Sequence, residues 1–361
     1  MKIAIVNKHK QDTLGGSEVQ SDIIAGKLTD FGHEVIYLAV KGGGNYQTRY
    51  RVIPVESSSG AILEAVDQCK PDIIYWRYNK HHLYSTMKGI KERGVPVVFA
   101  VSHIQDLKKW GAKAVSREKS FLKRAVITLI RAVESRKQYR GMGLVEGVVV
   151  NNREFLNRSG HPRTTFIRSS VEPEITPFSY DKPYFIWISS LKPSKRPELC
   201  LRLAKEISEL DADILMVGDI VKESYDYFNE DRTLPNNVKY LGKKPIEEVN
   251  GIIKGSLALL HTGEPEGFAN TFMQSWMSGK PVISYEYNPD LLLTGNQLGT
   301  CSAGNFEDLV AQVKKLKVDP DYRNQLAENT RKFAKEEFSP DKNVGLLEQF
   351  LEETLDKQRG K

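Results

Sequence analysis

Cysteine is scarce. The 361 residues hold three, Cys69, Cys200 and Cys301, far apart and odd in number. That count argues against a disulfide framework and against a cysteine-built metal site, and fits free thiols in a reducing compartment. Long apolar runs are missing as well. No stretch of about 18 apolar residues occurs, so nothing reads as a bilayer-spanning helix. The opening apolar run ends at Val6, too short for a secretory signal, and the expectation is a cytoplasmic protein. The three spaced glycines of a dinucleotide fingerprint, an HExxH zinc motif and a solenoid-period repeat are also absent.

What is there is an alternation of short apolar runs and helical periodicity, which predicts parallel sheets joined by crossover helices. The length suits two cores. In the first half, strands are expected at residues 2–7, 34–39, 51–54, 72–76, 95–101 and 147–150, with helices between them such as 17–31 and 85–93. A second set has strands at 184–189, 213–217, 238–241, 256–261 and 281–285, and helices around 197–209, 246–253, 270–278 and 305–316. Between the sets, residues 171–183 carry Pro173, Pro177 and Pro183 with little periodicity, the mark of an interdomain hinge. The expected domains are 1–172 and 173–340. A C-terminal helix, 341–361, is expected to cross back to the first domain. Ligands of doubly wound sheets bind at the carboxyl ends of the strands, and two such sheets in tandem are expected to share a cleft there.

The loop after the first strand ends in Gly15-Gly16-Ser17-Glu18. Gly15 and Gly16 admit a close backbone approach, and Ser17 is a good N-cap for the next helix. The loop reads either as an anion-binding turn or as a plain tight turn. In the second half, Ser189-Ser190-Leu191-Lys192-Pro193-Ser194-Lys195-Arg196 follows a buried-type strand and opens a helix. Lys192, Lys195 and Arg196 fall where a diphosphate is neutralised, although alone they would read as a solvated basic loop. The most specific stretch is 261–282. Its loop holds Glu266 and Gly267, its helix starts near Asn270, and Gly279 ends it. Phe268 and Ala269 lie just before the helix, free amides of Asn270, Thr271 and Phe272 are expected at its start, and Gln274 is one turn on. Phe268 and Trp276 also fit a core role.

These stretches resemble glycosyltransferase family 4, a retaining family on the GT-B fold. Glu266-Gly267-Phe268 and Ser278-Gly279-Lys280-Pro281-Val282 match its C-terminal pattern, with Gln274 where the family has a second glutamate. The basic loop resembles the family's phosphate loop through Lys195. Ser190 replaces its arginine, and Arg196 replaces a glycine. The resemblance implies an α/β fold of two Rossmann-like domains. It also implies a nucleotide-diphosphate sugar as donor, a UDP- or GDP-sugar, with no cofactor and no metal. Glu266 would contact the donor sugar, Lys195 the diphosphate and Gln274 the ribose. Gly16 would approach the diphosphate from the other domain, and His103, just past a strand, would lie near the transferred sugar. Asp211-Ala212-Asp213 spells a metal-binding DxD but falls before a strand, and is read as a turn.

Charge is uneven. Residues 106–140 hold eleven Lys/Arg and three Asp/Glu, a net of +8 against +6 for the whole chain. An apolar stripe within them either packs on its own domain or lies on an anionic membrane surface, at the inner face of the cell membrane. Nothing in this stretch supports nucleic-acid binding. The acceptor is expected to be a glycan or lipid-linked sugar in cell-surface polysaccharide synthesis. The alternatives are a GT-B-fold nucleotide-sugar epimerase and a non-catalytic nucleotide-sugar-binding protein.

Overall fold

The computed structural model describes residues 1–13, 15–78, 82–101, 121–171, 174–221, 223–230, 233–265 and 268–360. The chain divides into two units. One is Met1–Ser170 with Pro340–Lys361, and the other is Val171–Ser339.

The first unit is a seven-stranded parallel sheet. Its elements run β1 (Lys2–Asn7), α1 (Gly16–Asp30), β2 (Glu34–Val40), β3 (Arg51–Val55), α2 (Ser59–Cys69), β4 (Ile73–Trp76), α3 (Leu83–Glu92), β5 (Val97–Val101), α4 (Phe121–Met142), β6 (Gly147–Val150), α5 (Arg153–Arg158) and β7 (Thr164–Phe166). Strand order is β3-β2-β1-β4-β5-β6-β7. In β1, Ile3, Ala4, Ile5 and Val6 are all fully buried. Ala4 and Val6 face one core with Ile36, Ile74 and Trp76, while Ile3 and Ile5 face the other with Leu28, Tyr37 and Leu351. Burial on both faces explains the unbroken apolar run.

The second unit runs β8 (Tyr184–Ile188), α6 (Pro197–Glu206), β9 (Asp213–Val217), β10 (Val238–Tyr240), α7 (Ile246–Gly255), β11 (Leu259–His261), α8 (Asn270–Met277), β12 (Val282–Ser284), α9 (Leu292–Gly295), β13 (Gly299–Cys301), α10 (Phe306–Val318) and α11 (Pro320–Glu337). Its sheet has the order β10-β9-β8-β11-β12-β13. The last helix, α12 (Pro340–Gln358), belongs to the first unit. There Lys27 pairs with Asp341 at 3.0 Å, and His33 Nε2 meets Glu348 at 2.5 Å.

Several boundaries differ from the sequence reading. The boundary between the units falls at Ser170–Val171, the start of the expected hinge, and Val171 with the described residues from Glu174 onward belongs to the second unit. The Thr176 N–H donates to Glu247 O at 2.9 Å, and a Cβ on Gly251 would lie 1.8 Å from Thr176 O. That glycine lets the segment lie directly on α7. β11 is three residues, not six, because Ser256 caps α7 and donates its N–H to Ile253 O. β7 and β13 have no counterpart in the sequence reading; pairing with β6 and with β12 makes them strands.

Candidate active site

In the second unit the chain runs outward from β8 to β9 and β10, then returns to β11 on the other side. The switch point is therefore the β8–β11 pair, with Ile186 opposite Leu259. Two loops meet at the carboxyl ends of this pair, where doubly wound sheets bind ligands.

The loop after β8 is held from below. The Ser189 N–H donates to Val217 O at 3.0 Å, and the Leu191 N–H to Asp219 O at 2.8 Å. Lys192 then leads into a single 3-10 turn, Pro193–Lys195, and Arg196 follows in the left-handed region at φ 48°. The Lys195 N–H donates to Lys192 O, and the Lys195 carbonyl accepts the Thr262 hydroxyl at 2.7 Å. Buried Thr262 in turn accepts the Trp187 indole N–H at 2.9 Å. A second tie runs from the Glu264 N–H to Ser194 O at 2.9 Å. The Lys195 side chain passes over Gly263, where an added Cβ would lie 3.2 Å from its Cδ. Lys195 is thus brought onto the loop that leads to Glu266. Arg196, expected to join it, is turned to Glu286 at 2.6 Å and over the Tyr285 ring at 5.8 Å. Ser190 and Lys192 sit in the same loop, both half-buried.

The second wall is the start of α8. Ala269 is its N-cap and has no side chain to satisfy the first amides, so those of Asn270 and Thr271 have no partner within the helix. The Phe272 amide is a correction: it donates to Ala269 O at 3.0 Å. Phe268 and Ala269 are buried, and the Phe268 ring packs against Trp276 and Phe338, so that side chain belongs to the core. Gly279, at φ 68°, follows the helix end, and the Lys280 N–H reaches back to Ser275 O. Gln274 is 7% exposed and its Nε2 donates to Asn250 Oδ1 at 2.8 Å, which occupies the amide that was expected to face a ribose. Glu266, Gly267 and His103 lie outside the described residues.

In the first unit the switch point is β1–β4, and α1 begins after it. Gly15 is the N-cap, not Ser17. The Ser17 hydroxyl instead accepts from Asn7 Nδ2 at 3.1 Å, and Asn7 also reaches Ser21 at 3.0 Å. The Glu18 carboxylate folds back toward Gly15, where a Cβ would meet Oε2 at 2.4 Å. A negative group therefore already stands at this helix start. The loop's other end is anchored by His9, fully buried among Tyr37, Tyr46 and Tyr50, with Nε2 at 3.0 Å from the Tyr50 hydroxyl. Burial pushes the His9 imidazole below its usual pKa, against the pull of Asp22.

The first unit also holds a pocket that sequence reading missed, about 380 Å³ counting open solvent. It lies at the ends of β4 to β7, between α1 and α12. Arg77 Nε and Asn151 Oδ1 line it, both buried and with no hydrogen-bond partner among the described residues. A donor and an acceptor so placed need water or a polar ligand. Isolated polar residues past strand ends carry no local signature that would have singled them out. Asp213, of the DxD stretch, opens β9 at its amino end and accepts the Tyr180 hydroxyl at 2.5 Å.

The sequence profile described as glycosyl transferases group 1 matches residues 170–333. An uncharacterized glycosyltransferase of Methanocaldococcus jannaschii is 23% identical over 198 residues, 54% of this chain. The chain spans about half the length of that curated relative, 55%. Among solved structures, sucrose-phosphate synthase from Thermosynechococcus elongatus superposes with a TM-score of 0.74 at 12% identity, covering 98% of this chain and 99% of that one. TarM of S. aureus, a mutant in complex with fondaparinux, alpha-GlcNAc-glycerol and UDP, gives 0.71 at 11% identity, covering 97% and 100%. The chain has the GT-B fold, two Rossmann-like α/β domains. Its second unit is related to the glycosyl transferases group 1.

Proposed function

We propose that the protein is a retaining glycosyltransferase that moves a sugar from a nucleotide-diphosphate donor to a glycan or lipid-linked acceptor, without a metal. The observation that carries this reading is the stitched pair of loops at the β8–β11 switch point. It carries the Lys195 side chain over Gly263, in the β11–α8 connection, and α8 begins without a side-chain cap.

Transfer from a nucleotide sugar asks mainly for stabilisation of a departing diphosphate. The Lys195 ammonium supplies positive charge for it, and the Asn270 and Thr271 amides supply hydrogen-bond donors. The family resemblance gives Glu266 the sugar hydroxyls and His103 a place near the transferred sugar. The match to the group 1 profile and the UDP held by TarM support a nucleotide donor. Cell-surface polysaccharide synthesis is the setting this acceptor class suggests.

A thermal-shift screen of UDP-, GDP-, ADP- and dTDP-sugars tests the donor site, since a ligand at a hundredfold its Kd adds about 2.7 kcal/mol of stability. One donor class is expected to raise Tm. No shift with any of them would refute the donor site. Product from donor alone would indicate an epimerase. Binding without turnover on any acceptor would indicate a binding protein, and inverted anomeric configuration in the product would refute retention.

A further inference from the structure

We propose that α4 carries a docking face for an anionic lipid bilayer. Val126, Leu129, Ile130 and Val133 are 56%, 66%, 59% and 46% exposed. Their spacing of three, four and seven residues puts them in one row along the helix. Nine large hydrophobic side chains are exposed among the described residues, and the other five are scattered through the sequence. Single exposed aliphatics are ordinary, but a contiguous row of four marks an interaction surface.

The helix is anchored at its far end. Gly141 and Met142 are buried, a Cβ on Gly141 would lie 2.9 Å from Tyr84 N, and the Arg140 guanidinium sits 5.0 Å from the Tyr84 ring centre. The apolar row therefore stands on the part of the helix that precedes this anchor.

Charge selects the occupant. Along α4, among the described side chains, stand Lys123, Arg131, Arg136, Lys137 and Arg140, against one acid, Glu134. A second copy docked by two-fold symmetry would bring two such helices together and repel. A bilayer with anionic headgroups attracts the cations while its acyl chains take the aliphatic row. No helix among the described residues is long and apolar enough to cross a membrane, so the contact is peripheral. The inference does not rest on the glycosyl-transfer reading, and its test needs no sugar donor.

The test is co-sedimentation of the full chain with phosphatidylcholine vesicles, with and without phosphatidylglycerol, at fixed salt. The wild type is expected to bind the anionic vesicles at least about tenfold more tightly. Leu129→Asp/Ile130→Asp and, separately, Lys123→Glu/Lys137→Glu are expected to weaken that binding by about tenfold or more, with Tm and circular dichroism unchanged. Equal or absent binding of the wild type to the two vesicle types overturns the proposal, whatever the variants do. So does a wild-type dimer in light scattering that Leu129→Asp/Ile130→Asp converts to monomer, since the row would then be covered by a second copy.

Discussion

Gly218, at the end of β9, lies so close to Ser189 that a Cβ on it would stand 1.7 Å from the Ser189 carbonyl oxygen. The obstacle is backbone, not a side chain that can swing away, so any larger residue must push the loop that carries Lys192 and Lys195. Gly218→Ala is expected to cost about 1–3 kcal/mol of stability, the usual range for overpacking. It should also reduce the thermal shift given by a nucleotide sugar. Calorimetry with and without donor measures both, and a variant with wild-type Tm and wild-type donor response would contradict the close approach.

Lys195 contributes to the fold through its main chain, by the N–H bonded to Lys192 O and the carbonyl bonded to Thr262. Removal of its side chain leaves both bonds in place and is expected to keep the fold while lowering transfer by about a hundredfold or more, the scale of one lost charge-stabilising group. Glu266→Ala is expected to do the same. Steady-state rates beside melting curves decide the matter. Activity within a few-fold of wild type in either variant would remove that residue from the proposed chemistry.

Gln274 stands where the resembling family has glutamate, yet here its amide donates to Asn250 Oδ1, and Asn250 Nδ2 donates to Glu174 O at 2.8 Å. Asn250 cannot turn over without losing that second bond. Gln274→Glu would then set a carboxylate oxygen against a carbonyl oxygen in a buried place. The expected cost is about 1–3 kcal/mol. Denaturant unfolding measures it, and a stabilised variant would show that the amide pair has no structural role.

His9 gives a pH prediction. Burial lowers its folded pKa below the ordinary 6.5. Below about pH 6.5 the unfolded chain binds a proton that the folded protein resists, so acidification costs stability from there downward until the folded pKa is reached. His9→Gln removes that dependence. The difference between wild type and variant, followed by urea unfolding from pH 8 to pH 5.5, should narrow as the pH falls. A constant difference would mean that His9 does not titrate in this window.

The strands were legible where apolar runs were continuous, as in β1, β8 and β9, because burial on both faces of a parallel sheet leaves no polar alternation to confuse. β7 and β13 were not, since pairing with β6 and β12, and not their own pattern, makes them strands. At the site, the glycines and Lys195 announced a loop at a strand end. What Arg196 and Gln274 touch did not show, because Glu286 and Asn250 are 90 and 24 residues away. Likewise, the apolar row of α4 was visible as a period, while its exposure was not. Periodicity says which side chains share a face, and only the packing says whether that face is covered.

By itself the sequence determined the kind of chain this is: alternating parallel strands and helices in two successive sets, with glycine turns and a lysine-bearing loop after particular strands. Those features are local, set by side-chain burial and backbone freedom over a few residues. The tertiary structure decided which loops meet, because strand order, and hence the switch point between β8 and β11, depends on pairings across dozens of residues. It alone brought Ser194 to Glu264 and Thr262 to Lys195, and it alone turned Arg196 toward Glu286.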